Sequence, residues 1–127
     1  MVLRSAGLLA VSAVACLALC AGSALASRPA HPGEKRAIAR AVKSSPDTQG
    51  VRGKFDVVHV RISTVDAHWA RASLRPKRRY RNQLETATAA LHRGHGHWSV
   101  RSLGTADVGC AIHPAAVRRD LGLQCSG

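Results

Sequence analysis

The fold is decided by two stretches of the chain, KFDVVHVRIST at residues 54–64 and WARASLR at residues 69–75. Each alternates apolar and polar side chains, and β-branched residues dominate the first, so each predicts a half-buried strand. The alternation places Val58, Val60 and Ile62 together on one face of the first strand. A short polar segment between the two stretches suits a turn, and the pair therefore predicts an antiparallel hairpin.

The segment 84–92 is open to two interpretations. Its leucine, glutamate and alanine content favours a helix by intrinsic propensity. The alternation of Ala87, Ala89 and Leu91 with threonines fits a strand instead. A second alternating stretch at residues 98–103 follows a glycine-containing turn and offers a hairpin partner, which favours the strand.

One helix is predicted before these strands in the sequence and another after them. Pro32 suits the first position of a helix, and the spacing of Ile38 and Val42 gives that helix an apolar stripe. Near the C-terminus, Pro114 opens a short helix over residues 115–121. The predicted fold is therefore α+β, with an N-terminal helix packed on a four-stranded antiparallel sheet and a short C-terminal helix stapled by a disulfide. This element order resembles the cystatin-like architecture, a likeness of arrangement that implies no activity.

The start of the chain has the organisation of a secretory signal peptide. Arg4 provides a positive charge, an apolar run follows, and Ala24-Leu25-Ala26 forms a small-x-small site for cleavage before Ser27. The apolar run is too short to serve as a membrane span. We therefore expect a signal peptide at residues 1–26, a secreted protein, and no transmembrane segment in the mature chain.

Cleavage there would leave a flexible N-terminal segment at residues 27–33 and a single α+β domain at residues 34–127. A second start is open at Cys20, because the residues that lead up to it resemble the lipidation box of bacterial lipoproteins. Leu19 stands where that box has a small residue. Secretion with cleavage after Ala26 is therefore favoured over a membrane-anchored lipoprotein.

Removal of the signal peptide changes both the charge and the cysteine count. Of the 19 Lys and Arg residues only Arg4 precedes Ser27, and all 7 Asp and Glu residues follow it, so the mature chain would carry 18 basic and 7 acidic side chains, a formal charge of +11. Four cysteines become two, Cys110 and Cys125. Outside the cytoplasm such a pair predicts a disulfide rather than a metal site. No motif calls for a cofactor, and none is expected.

One resemblance extends over most of residues 36–125. It is carried by VRISTVD at residues 60–66, LHR at 91–93, WSV at 98–100, VGC at 108–110 and VRRDLGL at 117–123, followed by Cys125. With these segments the chain resembles small exported actinobacterial proteins of unknown function. The resemblance implies secretion, a single domain and a terminal disulfide, and it brings no activity or catalytic residues.

A basic segment is the first candidate binding site. It comprises Arg75, Lys77, Arg78, Arg79 and Arg81, and it would bind a polyanion or an anionic cell surface. The tyrosine within the segment offers one aromatic ring for stacking. The competing interpretation is a solvated loop whose charge maintains solubility.

Three histidines are the second candidate. His92, His95 and His97 lie within six residues, and imidazoles at this density are ligands for Zn²⁺ or Cu²⁺. No carboxylate or cysteine ligand is close to them in sequence. The competing interpretation is therefore a polar hairpin turn in which glycines supply the unusual backbone angles.

No catalytic arrangement is predicted. His59, Ser63 and Asp66 include hydrolase residue types, but His59 and Ser63 would stand about 13 Å apart along a strand, too far for a nucleophile and its base. We expect an exported, non-enzymatic interaction domain of the cell envelope or its exterior. Its partner would be an anionic envelope polymer or an extracellular protein rather than a specific nucleic acid. The alternatives are a polyanion-binding module that uses the loop 75–81 and an inhibitor of a secreted hydrolase.

Overall fold

The computed structural model describes residues 27–126, and both the predicted signal peptide and the alternative start at Cys20 lie outside the described residues. An antiparallel sheet lies at the centre, and its strand order follows the chain. Its strands are β1 (Arg28–Pro29), β2 (Phe55–Ile62), β3 (Trp69–Pro76), β4 (Ala87–Gly94) and β5 (His97–Gly104). Helix α1 (Pro32–Ser44) stands between β1 and β2, and the short helix α2 (Ala115–Asp120) follows β5. The α+β prediction is confirmed, and the ambiguous segment 84–92 contributes a strand.

The sheet has five strands rather than the four predicted. The additional strand is β1, in which Arg28 lies opposite Ile62 and Pro29 opposite Arg61. The segment 27–33, predicted to be a flexible lead to the helix, therefore contains a paired strand and the beginning of α1. A strand of two residues is too short to carry a periodic pattern, which is why the alternation of side chains did not indicate it.

Helix α1 begins at Pro32, as predicted, and its first turn is fixed by a carboxylate. The side chain of Glu34 accepts a hydrogen bond of 2.9 Å from the backbone N–H of His31 and two hydrogen bonds, of 2.8 and 2.9 Å, from the guanidinium of Arg28. Ile38 and Val42 are fully buried and pack α1 into the main core of the sheet. The cap and the apolar stripe thus place α1 across one face.

The two faces of the sheet are covered by different parts of the chain. The alternation in β3 buries Ala70, Ala72 and Leu74 in the main core beneath α1. In β4, Ala89 belongs to this core, whereas its neighbour Ala90 points to a second core. That second core is completed from the C-terminal region by Val108, Ile112, Val117, Leu121 and Leu123. Residues 108–123 therefore cover part of the face opposite α1.

A bulge interrupts β2 and changes which of its side chains face the core. The pairing with β3 shifts register between Val58 and Arg61, and His59 adopts a left-handed backbone conformation with φ of 51°. Before the bulge Phe55 is buried in the main core, and after it Ile62 is buried there. The bulge adds one residue to β2, so side chains before it and side chains after it alternate out of step. The prediction that Val58 shares a face with Ile62 is therefore wrong.

Within residues 27–126, no helix has both the length and the apolar character needed to cross a bilayer.

Candidate polyanion-binding surface

The basic segment, which we call the basic loop (residues 75–81), leaves the sheet at the end of β3. Pro76 lies opposite Phe55 of β2, and the N–H of Lys77 donates a hydrogen bond of 2.8 Å to the carbonyl of Lys54. A 3₁₀ turn at Arg78–Tyr80 follows, closed by a hydrogen bond of 2.8 Å from the N–H of Tyr80 to the carbonyl of Lys77. The backbone of the loop is therefore held against the sheet while its charged side chains remain exposed.

Two cations lie close to the ring of Tyr80. The Nζ atom of Lys54 lies 5.5 Å from the centroid of its ring, and Cζ of Arg79 lies 5.8 Å from it. Both distances are within the range of cation–π attraction. A shallow cavity of about 540 Å³ opens beside the ring and is lined by Gly53, Lys77, Arg78, Arg79 and Tyr80. We call these residues the basic surface, together with exposed Arg81 directly after the turn: Lys54, Lys77, Arg78, Arg79, Tyr80 and Arg81.

The predicted residues do not all belong to this surface. Lys77, Arg78 and Arg79 line the cavity, and Arg81 follows the 3₁₀ turn directly and is exposed. Arg75 lies on β3, where its cross-strand neighbour is Asp56. Lys54 is the member that the sequence interpretation missed. The pairing of Phe55 with Pro76 explains its position, because the residue before β2 then stands beside the residue after β3.

The acidic side chains do not neutralise this surface. Within residues 27–126, the carboxylates within 4 Å of a basic side chain are that of Glu34, beside Arg28, and that of Asp66, beside the ring of His68. The carboxylate of Asp107 accepts hydrogen bonds from the hydroxyl and the N–H of Ser126, which lower its pKa. Hydrogen bonds from the backbone and then the ring of His68 lower the pKa of Asp66. The cations of the basic loop consequently have no carboxylate partner at salt-bridge distance in the described region.

The three histidines are not brought together as a metal site. The ring of His92 packs edge-on against Trp69, with centroids 4.6 Å apart. His95 and Gly96 both have positive φ, at 52° and 79°, and join β4 to β5 through a type I′ turn. His97 is the first residue of β5. No group of three or more His, Cys, Asp or Glu side chains in the described part of the chain could hold a metal ion, so the predicted site does not form there.

The predicted disulfide joins Cys110 to Cys125, with their Cα atoms 4.8 Å apart. Beside it, the N–H of Gly109 donates a hydrogen bond of 3.1 Å to the carbonyl of Gln124. The side chain of Asp107 accepts hydrogen bonds from the N–H and the hydroxyl of Ser126, at 2.9 and 2.6 Å. The disulfide and these bonds hold the end of the chain against the segment that follows β5.

The hydrolase residue types serve other purposes in the fold. Ser63 is buried, donates to Asp120 at 2.6 Å, and accepts the N–H groups of Val65 and Asp66 at 3.1 Å each. His59 is exposed on the bulge of β2. Because the hydroxyl of Ser63 is enclosed and engaged on both its donor and acceptor sides, it has no access to a substrate.

Comparison of the chain with protein-family models, with curated proteins and with solved structures finds no match.

Proposed function

We propose that the protein is an exported, non-enzymatic binding domain of the cell envelope or its exterior, and that its basic surface binds anionic polymers. The observation that carries this proposal is the position of Tyr80, half-buried within cation–π distance of Lys54 and Arg79 and beside the open cavity that Lys77 and Arg78 also line.

The charge of the surface supports a polymeric rather than a small anion. Several cations that stand close together without carboxylates repel one another and attract counterions. A chain of phosphate groups would replace those counterions at several positions simultaneously, and their release would favour binding. The backbone hydrogen bonds of Lys77 and Tyr80 hold the loop in place, which reduces the ordering cost of this contact.

The test is the salt dependence of binding to immobilised linear polyphosphate. Neutralisation of the loop in the variant Arg78→Gln/Arg79→Gln/Arg81→Gln is expected to weaken binding and to lower the slope of log K against log salt by about 0.7–0.9 for each phosphate group that the variant no longer binds. The matched control is Lys35→Gln/Arg101→Gln/Arg119→Gln, which removes the same charge from exposed positions on α1, β5 and α2. Equal losses in both triple variants would contradict a site at the basic surface.

Export is tested separately by the intact mass of the protein recovered outside the cell. The expected mass is that of Ser27–Gly127 less two hydrogens, because cleavage follows Ala26 and the disulfide has formed. An acylated chain that begins at Cys20 would support the lipoprotein alternative instead.

A further inference from the structure

A groove lies along the outer edge of β2, beside α1. Its volume is about 630 Å³, and Val57, Val58 and His59 form the strand side. Lys35 and Arg36 form the helix side. The groove therefore combines an apolar floor with a basic wall.

At residues 55–59 the outer edge of β2 has no partner strand among residues 27–126. Strand β1 pairs with Arg61 and Ile62 only, and the N–H of Ala30 adds one hydrogen bond of 3.1 Å to the carbonyl of Val60. The chain then turns into α1, and no other strand of the described region covers the edge at residues 55–59. Unpaired backbone groups on such an edge are a template for an added extended segment.

The groove is lined by positive charges, which favour a negatively charged partner. Lys35 and Arg36 are exposed, and Arg61 is held at the groove by a hydrogen bond of 2.8 Å from its Nε to the hydroxyl of Ser27. No Asp or Glu of the described residues lines the groove, and the one carboxylate on the adjoining stretch of β2, Asp56, stands opposite Arg75 of β3. Edge-to-edge pairing with a second copy of this chain would bring these cations face to face, which is unfavourable. An acidic segment would complement them.

We propose that this groove binds an extended acidic segment of a partner protein, which adds to the edge of β2 as a further strand. Regular pairing ends at the bulge, because His59 has a left-handed backbone, so the partner pairs along residues 55–58. Its backbone supplies the hydrogen bonds, and alternate carboxylates face Lys35 and Arg36. The proposal uses residues other than the basic surface and does not depend on polyanion binding.

The probe is a short fluorescein-labelled peptide in which valine and glutamate alternate. Its binding to the full folded domain is measured as an increase in fluorescence anisotropy. We expect saturable binding by this peptide and none by the same peptide with alternate backbone amides N-methylated, because methylation removes the donors of a strand. We expect weaker binding when glutamine replaces each glutamate. The variant Lys35→Gln/Arg36→Gln should weaken binding of the glutamate peptide about three- to tenfold.

The control is Arg40→Gln/Lys43→Gln, which removes the same charge from α1 at exposed positions that do not line the groove. It should leave peptide affinity within about twofold, and neither double variant should abolish retention on polyphosphate. The proposal is overturned if the glutamate peptide does not bind, if the N-methylated peptide binds equally well, or if both double variants weaken binding to the same extent. Each of these results leaves the polyphosphate test of the basic surface unaffected.

Discussion

The hydroxyl of Ser63 donates a hydrogen bond of 2.6 Å to Oδ2 of Asp120, which lies 57 residues further along the chain. The same oxygen accepts the N–H of Thr64 at 2.9 Å. Ser63 and Asp120 are both buried, with 1% and 5% of their surface exposed. The carboxylate of Asp120 is, in place of water, the hydrogen-bond acceptor for the Ser63 hydroxyl and the Thr64 N–H. These bonds join the end of α2 to the turn that follows β2.

Replacement of this carboxylate should destabilise the domain. Asp120→Ala leaves the hydroxyl of Ser63 and the N–H of Thr64 without their acceptor, and we expect the free energy of unfolding to fall by about 2–3 kcal/mol. Urea denaturation measures the change. Glu85→Ala is the control, because Glu85 is exposed and its change should stay within about 0.5 kcal/mol. A loss no larger than that of the control would show that the hydrogen bonds to Asp120 contribute little.

The strands differ in how well the sequence predicts them. In β3 the strict alternation predicts the buried face of Ala70, Ala72 and Leu74, and the structure confirms it. In β2 the same logic fails at His59, because a bulge is a change of backbone conformation that leaves side-chain composition unchanged. The role of Asp120 was equally invisible in the pattern, since its partner Ser63 is close only in the folded chain.

The candidate site was likewise predictable only in part from the sequence. A run of arginines is visible in the sequence, and so is its place between strands. The cation that completes the basic surface, Lys54, directly precedes the other strand of the hairpin, and its position depends on the register between Phe55 and Pro76. For the three histidines, closeness in sequence did not predict closeness of the side chains. They flank and occupy a tight turn and do not form a group that could hold a metal ion.

Loss of the disulfide should weaken the C-terminal segment. The bond closes a loop with a sequence separation of 15 residues, for which the chain-entropy estimate is about 3 kcal/mol. We expect the variant Cys110→Ala/Cys125→Ala to lose stability of this order in urea denaturation. A reductant should destabilise the parent protein similarly and have no effect on the double variant. An equal effect of the reductant on both proteins would contradict this interpretation.

The pair formed by Arg28 and Glu34 should make stability depend on acid pH. The hydrogen bond from Arg28 is the main cause that lowers the pKa of Glu34 to about 2 from its ordinary value of 4.5. Because folding favours the carboxylate form, the contribution is complete above the ordinary pKa and is lost as the pH falls towards 2. Both side chains are partly exposed, so solvent screening limits the contribution to about 1 kcal/mol.

Urea denaturation of the parent protein and of Glu34→Gln over this pH range measures that contribution. The difference in the free energy of unfolding should be greatest near neutral pH and should shrink between about pH 4.5 and pH 2. A difference that does not change with pH would show that the glutamine variant loses packing or capping rather than the ion pair.

The turn between β4 and β5 offers a test of backbone strain. His95 has φ of 52° and precedes Gly96 in a type I′ turn, where the pair Asn-Gly is preferred. We expect His95→Asn to raise the free energy of unfolding, measured by thermal denaturation, by about 0.5 kcal/mol. His95→Val should lower it by about 1–2 kcal/mol, because a β-branched residue resists positive φ. His97→Val is the control: His97 is exposed on β5, where valine is favoured, so a similar loss there would exclude strain as the cause.

A side chain at Gly109 should disturb the C-terminal packing, because two segments approach this residue closely. A Cβ atom at this position would lie 2.8 Å from the carbonyl oxygen of Gln124 and 2.8 Å from Cδ of Arg118. The backbone of Gln124 is held by the hydrogen bond from Gly109 and by the adjacent disulfide, so it cannot yield as a flexible side chain would. We therefore expect Gly109→Ala to destabilise the domain by about 1–3 kcal/mol in urea denaturation. At Gly50 an added Cβ meets nothing within 4 Å, and Gly50→Ala should be neutral or stabilising. If the two alanine variants unfold at the same urea concentration, the close approach of residues 109 and 124 does not exist in solution.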